Sequence, residues 1–79
     1  MYIKVDITGS KKVGNKYLIK WLLFRNGDSG EVPSKELASS LPLGLFQVKK
    51  YMVSNVYDIN MNPYDGFACE GFAEVEFFD

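Results

Sequence analysis

Glu74 and Glu76 stand two residues apart in the segment "FAEVEFF". On a strand they share one side, roughly 6–7 Å apart, a spacing at which two carboxylates can divide acid–base or glycosidase work. Nothing else polar is expected to converge there. The plainer reading is a solvated acidic face, which also keeps an edge strand from pairing with other chains. A second group of oxygens lies in "DINMNPYD", where Asp58, Asn60, Asn62 and Asp65 have the look of a calcium loop. An EF-hand loop needs glycine at its sixth position and glutamate at its twelfth. Counted from Asp58 these are Pro63 and Cys69, so no metal site is expected.

Ser29 lies in "RNGDSGEVPSKEL", and its "GDSG" resembles the setting in which trypsin-like proteases hold a nucleophilic serine. A serine hydroxyl is a weak nucleophile until a base, usually histidine, takes its proton, and the chain has no histidine. A serine–lysine pair would need a desolvated lysine, whereas the lysines here fall in polar or alternating contexts. Turn chemistry accounts for Asn26 to Gly30 without a catalytic role. Cys69, the one cysteine, has no cation close in sequence and shares a strand side with Phe67 and Gly71, which suits a small buried hydrophobe. The glycines fall in turns and open no long helix, so neither a phosphate loop nor a dinucleotide fingerprint is present. The expectation is a protein that is not an enzyme, with no catalytic residue, no metal and no cofactor.

Binding remains. Net charge is −1, but all nine cations lie in residues 1–50, which carry a net +5, while residues 51–79 carry six acids and no cation. Such asymmetry marks either a nucleic-acid-facing or acid-mimicking surface, or basic and acidic strands lying side by side in one sheet. Nucleic acid would be held by Lys11, Lys12, Lys16, Lys20, Arg25, Lys49 and Lys50, with Tyr51 for stacking. A protein partner would meet the aromatics Tyr51, Tyr57, Tyr64, Phe72 and Phe78, with Glu74 and Glu76 facing a basic surface. The second fits better: there is one arginine, the total is near neutral, and an acidic final strand repels phosphate.

These residues need elements to position them. Seventy-nine residues, 47% apolar and 24% charged, make one domain over 1–79, small enough that its core supplies only about 3–5 kcal/mol. A lone cysteine forms no disulfide within the chain, and without histidine a usual zinc site is out of reach, so self-association is the remaining source of stability. Twelve aromatics exceed what one short helix can cover, which also points to a homo-oligomer. No apolar run approaches a bilayer span and the start alternates, so a cytoplasmic location with no membrane contact is expected. Residue types with AT-rich codons total 31 against 14 for Gly, Ala, Arg and Pro, the bias of a low-GC bacterium or its phage.

Ile3, Val5 and Ile7 alternate with Lys4, Asp6 and Thr8, a half-buried strand, and "GSKKVGN" reads as a loop or long hairpin connection. "KYLIKWLLFR" is apolar on both sides, which predicts a central strand covered on both faces. Asn26–Gly27 turns the chain; Glu31 and Val32 could start a short strand that Pro33 stops. Ser34 is a good N-cap for a helix of about two turns with Leu37, Ala38 and Leu41 on one stripe, closed by Pro42 and Gly44. From Leu45 to Met61 the pattern slips phase, which predicts a long bent, bulged strand, or a short helix at 45–50 before it. Ala73, Val75 and Phe77 alternate with Glu74, Glu76 and Phe78 in a final strand.

The expected class is α+β: a mainly antiparallel sheet of four to five strands with one short helix, in the order ββ(β)αββ. The alternative is a small barrel, OB-like or SH3-like. "YLIKW" followed by "GDSGEVPSKEL" resembles the SH3-like barrels of chromo and Tudor domains over less than a third of the chain, without an aromatic cage, and identifies no family. The functional expectation is a non-catalytic protein-interaction module, an accessory of phage or mobile-element type that modulates a larger host complex. The alternative is a small nucleic-acid binder gripping through the basic loop.

Overall fold

The first strand runs further than its apolar alternation. In the computed structural model, which describes residues 2–26, 30–48 and 50–78, β1 spans Tyr2–Val13 and β2 spans Lys16–Asn26. Only Gly14 and Asn15 separate them, with Val13 opposite Lys16. Gly14 has φ +63° and Asn15 is not among the positive-φ residues, the pattern of a two-residue type II′ hairpin turn. The stretch read as a basic loop is therefore mostly strand. It escapes the alternation because a bulge between Ile7 and Gly9 shifts the register by one, moving Gly9, Lys11 and Val13 to the side that Lys4 and Asp6 occupy.

After β2 the chain crosses over. Gly27, Asp28 and Ser29, where the turn and the "GDSG" serine fall, lie outside the described residues. Glu31 and Val32 form no strand, although the Val32 N–H donates to Gly66 O at 2.8 Å. Helix α1 is Ser34–Ser39, with Pro33 rather than Ser34 at the N-cap and no side-chain cap bond. Its six residues, closed by the Ser40 N–H donating to Glu36 O and Leu37 O, make the helix of about two turns expected from the sequence. A 3-10 turn at Leu43–Phe46 takes the place of either reading of residues 45–50. Strand β3 begins only at Lys50 and ends at Asp58, and its bulge falls between Val53 and Asn55. Strand β4 is Glu70–Phe78.

All pairings are antiparallel and the strand order is β1-β2-β4-β3. The sheet is open, with β1 and β3 at its edges, so neither barrel is formed. The final strand, expected at an edge, lies inside: β4 is paired on both sides. Basic β2 and acidic β4 are neighbours, and this adjacency balances the charge asymmetry between the two parts of the chain.

One face carries the core. Val5 from β1, Ile19, Trp21 and Leu23 from β2, and Ala73 and Val75 from β4 meet Val32, Leu37, Leu41 and Leu43 from the crossover. Each large apolar side chain buried in this way contributes about 1.5–3 kcal/mol. Trp21 is fully buried and stands opposite Gly71. A β-carbon at Gly71 would come within 2.8 Å of the Trp21 ring and clash with the Tyr57 carbonyl, so only glycine lets the ring lie across β4. Arg25 closes the end of this layer by donating to the carbonyls of Gly30 and, at 2.9 Å, Gly66.

Candidate functional site

Among the described residues no helix or strand lies over the other face of the sheet, and from the turn after β3 only Met61 lines a cleft with Leu18 and Glu74 there. Strand alternation places Lys16, Leu18, Lys20, Leu22 and Phe24 of β2 there, beside Glu70, Phe72, Glu74, Glu76 and Phe78 of β4. Met52, Asn55 and Tyr57 of β3 flank Glu76, Glu74 and Phe72, while Lys4 and Asp6 of β1 flank Phe24 and Leu22. The prediction that β2 is covered on both sides is thus met on one side only. Leu18 and Leu22 are half-buried by their neighbours, whereas Phe24, Met52 and Phe78 keep 47%, 49% and 42% of their surface exposed. A six-residue helix and a 3-10 turn are enough backbone to cover one side of four strands, not two.

Glu74 is the polar centre of this face. Its Oε1 accepts from Lys16 Nζ at 3.1 Å, Ser54 Oγ at 3.0 Å and Asn55 Nδ2 at 3.2 Å. The β3 bulge makes this possible, because it brings two successive residues opposite one. The Lys16 ammonium first, then the Ser54 and Asn55 donors, hold the carboxyl below its ordinary range. A general acid needs the opposite shift, so Glu74 lacks the property of a proton donor near neutrality. Beside Glu74, a shallow cleft of ≈ 190 Å³ is lined by Val13, Lys16, Tyr17, Leu18 and Met61.

The cations read as a nucleic-acid surface do not all lie together. Lys11 and Lys12 sit near the hairpin tip, Lys16 is paired with Glu74, and Lys20 stands between Gly9 and Phe72. Arg25 is engaged by two backbone carbonyls on the covered face. Lys50 lies opposite Phe78 at the start of β3, and Lys49 lies outside the described residues. Lys4, Lys11, Lys16 and Lys20 share the β1–β2 half of the open face with Asp6 and border Glu70, Glu74 and Glu76 of β4, so their positive strip is narrow and flanked by carboxylates.

The aromatic candidates divide. Tyr57, Phe72 and Phe78 share the open face with Glu74 and Glu76. Tyr51 is opposite Phe77 on the covered side, where with Val53 and Val56 it lines an open groove of ≈ 430 Å³ against Ser34, Lys35 and Ala38 of α1. Tyr64 packs edge-on against Trp21 with ring centroids 5.5 Å apart, and burial pushes its phenol pKa up. Residues that pattern reading did not assign to a contact surface are Leu18, Leu22, Phe24 and Met52. The surplus of apolar surface over helix length was the one signal that pointed to them.

The remaining chemical candidates serve the backbone. Asp58 Oδ1 accepts the N–H groups of Asn60 and Asn62, and Asp65 Oδ1 those of Phe67 and Ala68, which lowers the Asp65 pKa. Cys69, expected to be buried, is exposed: β4 starts one residue later, so strand alternation does not reach it. Among the described residues no three Cys, Asp or Glu side chains gather as a metal site, and no helix is long and apolar enough to cross a membrane. Comparison of the chain with family models, curated proteins and solved structures finds no match.

Proposed function

We propose that this chain is a non-catalytic protein-interaction module that binds through the open face of its sheet. The observation that carries the reading is the row Leu18, Leu22, Phe24, Phe72, Phe78 and Met52, half-buried or exposed on the face opposite the core. Apolar side chains rimmed by charged ones suit a protein partner, since a protein surface supplies both apolar area and counter-charges. The carboxylates of β4 beside the lysines of β1 and β2 weigh against a nucleic-acid strand, which gains affinity from contiguous positive charge. The accessory role in a phage or mobile element rests on composition alone.

Phe72→Asp places a charge in the centre of the face without touching the core. Wild-type protein immobilised in extract of the source cells is expected to retain a protein that Phe72→Asp does not retain. Single-stranded DNA or RNA binding that falls steeply with salt, and disappears when Lys11, Lys12 and Lys16 become glutamate, would replace this reading with the nucleic-acid one.

A further inference from the structure

We infer that the partner of the open face is a second copy of this chain, stacked face to face about a twofold axis that runs parallel to the strands over the β2–β4 seam. The inference rests on the interaction reading above and names its partner. The face is divided by charge. Its β1–β2 half carries Lys4, Lys11, Lys16 and Lys20 against Asp6, and its β4–β3 half carries Glu70, Glu74 and Glu76 against Lys50. A twofold along the strands lays each positive half over the partner's negative half. A twofold across the strands would lay like over like, so the charge pattern selects the first.

The register makes this specific. Lys20 stands opposite Phe72, and Leu22 and Leu18 stand opposite Glu70 and Glu74. Rotation about an axis along the seam keeps height along the strands and exchanges β2 for β4. Lys20 of one copy then falls over Phe72 of the other, between Glu70 and Glu74, and the same contact recurs by symmetry. Face-packed sheets lie about 10 Å apart, within reach of interdigitating side chains. The molecule is 37 Å long and 24 Å wide. The rectangle those extents enclose is the upper limit for any one face, and it exceeds the roughly 800 Å² that each partner of a standard interface buries.

Edge pairing is the competing geometry, and β1 and the C-terminal end of β3 are guarded against it. β1 carries Lys4, Asp6, Lys11 and Lys12 and a bulge. The outer side of β3 is met by the turn that follows it, Tyr64 N–H donating to Val56 O and Asp58 N–H to Asn62 O.

The test is sedimentation of wild type, Lys20→Glu, Glu70→Lys and an equimolar mixture of the two variants, with circular dichroism to confirm folding. Wild type is expected to dimerise at micromolar concentration. Each variant alone brings like charges together at both symmetric contacts and is expected to weaken the dimer roughly 100-fold. The mixture restores opposite charges at both contacts, so a heterodimer of near wild-type affinity is expected from two monomers. A mixture that stays monomeric, or a wild type monomeric at several hundred micromolar, overturns the inference. In that second case, loss of a captured host protein in Phe72→Asp leaves the interaction reading standing. If nothing is captured either, both fail.

Discussion

Along β2, Ile19, Trp21 and Leu23 alternate with Leu18, Leu22 and Phe24, two sets of comparable hydrophobicity on one strand. The first set is buried beneath the crossover and the second is half-buried or exposed. What separates them is the chain between β2 and β3, which brings Val32, Leu37, Leu41 and Leu43 to one side only. Apolar content therefore marks a face as suited to contact, while the topology decides whether the contact is internal.

Substitutions can break this distinction. The largest effect is expected from Trp21→Ala on the covered face, which removes about 3–5 kcal/mol, comparable to the whole stability of a domain this size. The chain should be unfolded at room temperature by circular dichroism, and a cooperative urea transition close to wild type would show that the faces are energetically alike. Arg25→Ala comes next. It removes two charge-assisted bonds that tie the crossover to the loop before β4, at a cost of about 1.5–3 kcal/mol in urea unfolding. Phe24→Ser on the open face should change the stability of dilute protein by no more than about 0.5 kcal/mol, since nearly half of the ring already meets water.

The finest effect concerns pH. Because the Glu74 carboxyl is held below its unfolded value, its stabilisation is complete above the usual glutamate range and is lost as pH falls through the lowered folded value. Melting temperature measured through that acid window should fall less steeply for Glu74→Gln than for wild type. Parallel curves would mean that the Lys16, Ser54 and Asn55 contacts do not bias its ionisation.

Much of the fold is legible in the residues. Ile3, Val5 and Ile7, the double apolar pattern of β2, and Ala73, Val75 and Phe77 each define a strand, and Leu37 marks the buried side of α1. The parts that pattern reading misplaces are set by longer-range contacts. Thr8 is looped out where β1 bulges, so "GSKKV" looks like a loop although β2 holds it as strand. The charge on β4 suggests an edge because nothing local says that β3 will add beyond it. Of the candidate surface, the aromatic and acidic members of β4 are visible in advance. Leu18, Leu22 and Phe24 are concealed because a strand apolar on both sides looks the same whether its second side meets its own chain or another one.

The position of β4 has a consequence for how this sheet is assembled. β4 follows β3 in sequence but lies between β3 and β2, so the β1–β2 hairpin and β3 share no ladder until it inserts. Loop closure for the β2–β4 seam spans about fifty residues, and non-local pairing of this kind slows folding. Assembly is then expected to wait on insertion of a single strand. Weakening Ala73 or Val75 should slow refolding, while weakening the Gly14 turn should mostly speed unfolding; stopped-flow measurements on the two sets of variants would separate these cases.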